Sequence, residues 1–218
     1  MTNSHRQKQA FTMLELVLVI IVIGILAALS LPRLDRDIRQ EAADNILSDI
    51  RYTQHMALID DVTNPFDARW QRAFWRIGFN NCSGGGLYEY IGSDSNYGGG
   101  IGSSEAATDP ANGKKMYWGT TPCPNGGNST TSDRIFITHK YGITAVNPSS
   151  GCRSSNNYIG FDHLGRTVSG FTTSTTPNYS SYLTSNCTLT FTLSNGETFA
   201  ITIEKETGYA YIVGQNDS

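Results

Sequence analysis

An α+β fold is expected for this chain: a long N-terminal helical spine, transmembrane over its first half, packed on a C-terminal antiparallel β-sheet domain. Three observations predict it. Residues 16–31 carry no charge and are dominated by Leu, Ile, Val and Ala. From Leu34 to Ala57, apolar residues recur mostly every fourth position, as one face of a helix requires. Beyond Arg72 the pattern changes to aromatic and β-branched residues broken by Gly, Asn and Ser, which favours strands and turns. At 218 residues and 39% hydrophobic content, the chain holds one domain of ordinary size plus an appendage. It is mildly acidic at −3, and no basic tract suggests a nucleic acid partner.

The uncharged run falls just short of the roughly 17 to 25 residues that a helix needs to cross a bilayer. Extending it back to Phe11 makes a span of residues 11–31, which then contains Glu15. A carboxylate there costs on the order of 2.5 to 3.5 kcal/mol, so it has to neutralise, reach the interface or meet a cation. Arg6 and Lys8 precede the run, which predicts a cytoplasmic N-terminus and a periplasmic remainder, hence a single-pass inner-membrane protein. A cleaved signal peptide and a plain signal anchor share the basic start and the apolar core. Both leave Glu15 unexplained.

Residues 32–60 continue the helix. Leu34, Ile38, Ala42, Ile46, Ile50 and Ala57 fall near one face, and the other face is charged. Pro32 removes a backbone hydrogen bond and predicts a kink. From Phe11 to Ile59 such a helix would reach roughly 75 Å at 1.5 Å per residue. Asp60, Asp61, Asn64 and Pro65 mark its end, and His55 reads as a structural or solvated residue.

Residues 61–218 read as the β-domain. RAFWRIGFN and LYEYIG are strand-like, with NNCSGGG as the turn between them. Two loops then flank the short apolar piece Met116-Tyr117-Trp118. RIFITHKYGITAV is expected as a hairpin or bent strand, and NYIGFDHLGRTVSGF as another, turning at Leu164 and Gly165. From Cys187 onward three strands form a meander, with Asn195-Gly196 giving a type I′ turn signal and Thr207-Gly208 the next turn.

The segment AFTMLELVLVIIVIGILAALSLPRL closely resembles the class III signal of type IV pilins and type II secretion pseudopilins. In that family a peptidase cuts just before a Phe, and the new N-terminus is methylated. A Glu stands fifth after the cut and a Pro twenty-second, as Glu15 and Pro32 do here. The resemblance implies a leader of residues 1–10, cleavage between Ala10 and Phe11, and N-methylation of Phe11. The family usually has Gly before the cut; Ala10 keeps the position small. The free amine of Phe11 is largely cationic at neutral pH, since its reference pKa is roughly 7.7 to 8.0. In a helical filament it can pair with Glu15 of a neighbouring subunit, which turns an expensive charge into a register device. The implied partners are other pilin or pseudopilin subunits, the prepilin peptidase and the inner-membrane assembly platform.

A shorter resemblance narrows the group. ADNILSDIRYTQHMAL and IGFDHLGRTVSG are similar to stretches of the H-type minor pseudopilins and FimT-like minor pilins, where a hydrophobic-Phe-x-x-x-Gly-Arg hairpin is typical. Some of those pilins bind DNA through a basic stretch near the C-terminus. Here that region has a single Lys and is acidic, so nucleic acid is disfavoured.

Cys82, Cys123, Cys152 and Cys187 all fall in the β-domain, and four cysteines in an oxidising compartment suggest two disulfides. Three pairings are open. Closure of long loops favours Cys82 with Cys123 and Cys152 with Cys187, worth about 2 to 4 kcal/mol per bond. No Cys-x-x-Cys spacing supports zinc. Asp94-Ser95-Asn96-Tyr97-Gly98 faintly resembles the start of a calcium loop but lacks a third ligand at the right spacing. The Gly clusters at 84–86 and 98–100 lack the strand and helix of a phosphate-binding loop. His139, His163 and Asp162 lack a nucleophile-elbow motif. No catalytic residue, metal or cofactor is expected. The function expected is a structural filament subunit, a minor (priming or tip) one by the H-type resemblance, with a major pilin, an adhesive or DNA-binding minor pilin and a membrane-anchored periplasmic protein as the alternatives.

Overall fold

The computed structural model describes residues 12–119, 121–124, 128–153 and 157–215, the side chains of residues 27–37 excepted. The first helix, α1, runs Met13–Ile59, and the chain divides into two compact units, Met1–Ile38 and Arg39–Ser218.

Among the described residues, eight strands form two antiparallel sheets in the second unit. The first joins β1 (Trp75–Asn81), β2 (Leu87–Gly92), β4 (Tyr158–Phe161) and β5 (Thr167–Val168), in the order β2-β1-β4-β5. The second joins β3 (Ile143–Pro148), β6 (Cys187–Leu193), β7 (Thr198–Ile203) and β8 (Ala210–Ile212), in the order β3-β6-β7-β8. Strand β6 alternates strictly, with Cys187, Leu189, Phe191 and Leu193 buried and the threonines between them half-buried. Period-two burial of this kind is what one packed face dictates. Phe79 of β1 meets Phe191 of β6 edge-on, with ring centroids 5.4 Å apart, and ties the sheets together. Ala42, Ala43, Ile46, Leu47, Ile50 and Ala57 of α1 enter the same core.

The expected architecture is corrected on three points. Among the described residues no helix is long and apolar enough to cross a membrane. The transmembrane first half of the spine, and with it the single-pass inner-membrane localisation, is therefore not supported. Second, the helical residues that belong to the β-domain's unit begin only at Arg39, so that unit contains no long N-terminal spine. Among the described side chains, burial on this face starts at Ala42, and Ile38 is exposed; the Leu34 side chain lies outside them. Third, the domain has two four-stranded sheets in place of one.

Two local readings also change. RIFITHKYGITAV contains a 3-10 turn (Asp133–Ile135) and a short helix, α2 (Ile137–Tyr141), before β3 begins. Gly142 at φ +72° takes the left-handed conformation, and its N–H closes the helix on Thr138 O at 2.9 Å. That cap lets Ile137 and Tyr141, four residues apart, bury on one side. The turn after β6 is not type I′. Only Gly196 has positive φ, and Gly196 N–H donates to Leu193 O while Leu193 N–H donates to Glu197 O. This is a three-residue loop ending on a left-handed glycine. The β4–β5 hairpin and the β6-β7-β8 meander lie where the sequence puts them.

Candidate functional site

Of the processing and assembly residues, Ala10 and Phe11 lie outside the described residues. Pro32 falls within α1, with its side chain outside them as well. Glu15 is described, on the first turn of α1. Its Oε2 accepts from both the backbone N–H and the hydroxyl of Thr12, each at 3.2 Å, and its own N–H donates to Thr12 Oγ1 at 3.3 Å. This reciprocal pair is a capping box, a local role that the Thr12-x-x-Glu15 spacing carries in the sequence. Around it, every large apolar side chain from Met13 to Leu26 is 45 to 88% exposed. A contiguous apolar surface of that kind marks an interaction site.

The Gly-Arg hairpin is built around a buried carboxylate. Asp162 accepts from Leu164 N–H at 3.0 Å, Arg166 N–H at 2.9 Å, Arg166 Nε at 2.8 Å and the Tyr182 hydroxyl at 3.0 Å. Arg166 also lies over the Tyr182 ring at 4.5 Å. Burial and the Asp162 charge push the Tyr182 hydroxyl up to about 12. Gly208 packs so tightly against this turn that a Cβ there would stand 2.2 Å from Gly165 O. Gln54 of α1 donates to Gly165 O at 3.0 Å and Thr207 O at 2.7 Å, fastening the hairpin to the helix. Arg166 is thus engaged within its own domain.

Cys82 is joined to Cys123 and Cys152 to Cys187, with Cα atoms 5.4 and 4.4 Å apart. These are the loop-closing partners favoured in the sequence. Both oxygens of Asp94 accept backbone N–H groups, of Gly98 at 2.8 Å and Gly99 at 2.6 Å, so this carboxylate folds its loop. Among the described residues no group of three or more His, Cys, Asp or Glu could hold a metal ion. His55 and His139 are exposed, and His163 Nδ1 stands 3.7 Å from Asp61. The structure does not assemble His139, His163 and Asp162 into a triad.

Two polar clusters escape the sequence reading. In one, Arg134 pairs with Asp49 of α1, and its Nε stands 3.2 Å from Asp109 Oδ2, within ion-pair range but off the hydrogen-bond line. Asp109 is completed by Ala111 N–H at 2.9 Å, by Asn112 Nδ2 at 3.0 Å and by the Ser132 hydroxyl. Glu89 of β2 is buried nearby with one oxygen unpartnered. Burial first, and the Asp109 charge second, push its carboxyl up to about 8. The signal was present: Asp49 sits among the apolar positions of the helix, and Glu89 interrupts an otherwise apolar and aromatic strand. The other cluster surrounds Arg76 on β1. It is buried within an aromatic groove, and its one sequence cue is a charge inside RAFWRIGFN.

No protein-family model matches this chain, and comparisons with curated proteins and with solved structures find no similar protein.

Proposed function

We propose that the chain is a structural, non-enzymatic subunit of a type IV pilus-like filament or type II secretion pseudopilus, of the minor H-type. The observation that supports this reading best is the run of exposed apolar side chains from Met13 to Leu26, with Glu15 at its head. A helix so exposed gains by covering its surface, at roughly 25 cal/mol per Å² of apolar area. The same helix of other copies supplies a matching surface. After cleavage between Ala10 and Phe11, the Phe11 amine of one copy would meet Glu15 of the next and set the stagger between them. Glu15 then exchanges a weak local cap for a charge pair between chains. Prepilin peptidase, other pilin or pseudopilin subunits and the assembly platform are the partners in this reading.

Glu15→Gln tests it selectively, because Gln serves in a capping box as Glu does but carries no charge. The variant should keep its helix and enter isolated filaments several-fold less than the parent, measured by quantitative immunoblot. Mass spectrometry of the parent in the same material should find methylated Phe11 as the first residue. Normal incorporation of the variant, or a different mature N-terminus, overturns the reading.

A further inference from the structure

Arg76 is a buried cation without a counter-charge. It is 1% exposed. Its terminal nitrogens donate to carbonyl oxygens, of Arg72 at 3.3 Å and Gly99 at 3.2 Å, its side chain also hydrogen-bonds the neutral Tyr90 phenol, and Nε has no acceptor. The rings of Tyr158 and Phe171 lie 5.7 and 5.9 Å from its guanidinium carbon. Among the described residues no carboxylate comes within ion-pair range of it. These contacts locate the charge without neutralising it, and a charge buried in that state is costly.

Arg76 lines a groove of ≈ 320 Å³, within the range of small-molecule sites. Tyr88, Tyr90, Tyr117, Trp118 and Tyr158 line it with aromatic surface, and Asn80 stands exposed at its edge. Part of its lining is bare backbone: at Gly100 and Gly119 an added Cβ would meet nothing within 4 Å. Another glycine makes the aromatic lining fit. A Cβ at Gly78 would stand 2.4 Å from the Tyr90 ring, so glycine there gives that ring its place.

We infer that this groove binds a carboxylated sugar of the hexuronate class, its carboxylate toward Arg76 and its C–H face against the aromatic rings. A single cation fits one carboxylate of such a sugar. Aromatic faces suit the apolar face of a pyranose, and phenol hydroxyls with the Asn80 amide suit its hydroxyl groups. A purely apolar acid would leave those groups unmatched. The inference does not depend on the filament reading.

Calorimetric titration of the full purified chain with trigalacturonate tests it, with maltotriose and sodium acetate as the neutral sugar and the simple anion. Trigalacturonate should bind at least about tenfold more tightly than either, as a charge-assisted hydrogen bond implies. Tyr117→Ala, at a half-buried position on the lining, should weaken it several-fold, and Arg76→Met should remove the preference over maltotriose. No binding of trigalacturonate, equal binding of maltotriose, equal binding of acetate, or undiminished binding by Tyr117→Ala each overturns the proposal. Tyr117→Ala decides the matter even if Arg76→Met fails to fold.

Discussion

Arg134 and Arg76 are both drawn into the same β-domain, but their surroundings differ in one respect. Arg134 sits between two carboxylates, Asp49 on α1 and Asp109 on the loop after β2, which are 1% and 0% exposed. Arg76 is buried more deeply and is offered carbonyl oxygens, ring faces and a neutral phenol, but no carboxylate. The first charge is neutralised from within, and it clamps helix, loop and 3-10 turn together. The second leaves a demand that the chain itself does not meet. A buried charge with internal partners is a structural device, and one without them asks for something from outside.

The largest expected effect breaks the first side of that contrast. Arg134→Met would leave Asp49 and Asp109 buried without their shared cation, and removal of one partner from such a cluster costs about 3 to 5 kcal/mol. Urea unfolding should show a loss of that order. A loss under about 1 kcal/mol would mean that apolar packing of Ile46, Leu47 and Ile50 alone holds the helix.

Glu89 sharpens the same contrast, since it is the carboxylate of this cluster that Arg134 does not reach. Its folded-state value of about 8 lies above that of an unfolded Glu, so the native state holds a proton that the unfolded state has released. Stability should therefore fall as pH rises from about 5 to about 8. For one proton the slope is at most roughly 1.4 kcal/mol per pH unit. Asp109, whose charge raises Glu89, and Tyr141, which feels Glu89, are the titratable groups coupled to it. Glu89→Gln should flatten the profile in thermal melts across that range. An unchanged profile would show that Glu89 is not the group responsible.

A smaller effect is expected at Arg166, where the carboxylate keeps other partners. Arg166→Ala leaves Asp162 with two backbone N–H groups and the Tyr182 hydroxyl. Because the arginine side chain is 43% exposed, a loss of about 1 kcal/mol is expected in urea unfolding. A loss comparable to that of Arg134→Met would show that the Gly-Arg hairpin is a second clamp.

Much of the β-domain is legible from residue pattern: alternation in CTLTFTL corresponds directly to burial along β6, and the large apolar residues of TFAITI mark buried positions of β7, where Thr202 is buried as well. Where pattern and structure part, a backbone detail decides. ITHKY is rich in strand-forming residues, yet the left-handed cap at Gly142 and the Thr138 hydroxyl, which accepts from Leu87 N–H at 2.8 Å, hold it as a helix. The apolar run near the N-terminus reads as a span from composition, whereas among the described residues no helix is long and apolar enough to cross a membrane. Glu15 was visible as an anomaly, and Thr12 three residues before it was visible too. The capping box joins them without any reference to lipid. The Arg76 groove could not be read, because its defining property is the lack of an acid nearby in space. That lack depends on how β1, β2, β4 and the loops at Gly99 and Trp118 come together.

Arg76→Met should have the smallest effect on stability, and the one most informative about the contrast. Removing Arg134 strands two buried carboxylates, but removing Arg76 strands no charge. It frees two carbonyl oxygens whose bonds were already long, a cost of about 1 kcal/mol. It also relieves the domain of an unneutralised cation, and apolar replacement of buried charge is often neutral or stabilising. The two terms oppose each other, so Arg76→Met should lie within about 1 kcal/mol of the parent in urea unfolding, while Arg134→Met falls well below both. A loss of 3 kcal/mol or more for Arg76→Met would show that carbonyl and ring contacts suffice to stabilise a buried guanidinium. The unmet charge would then be a structural feature like Arg134, and the argument for an anionic ligand would lose its physical basis.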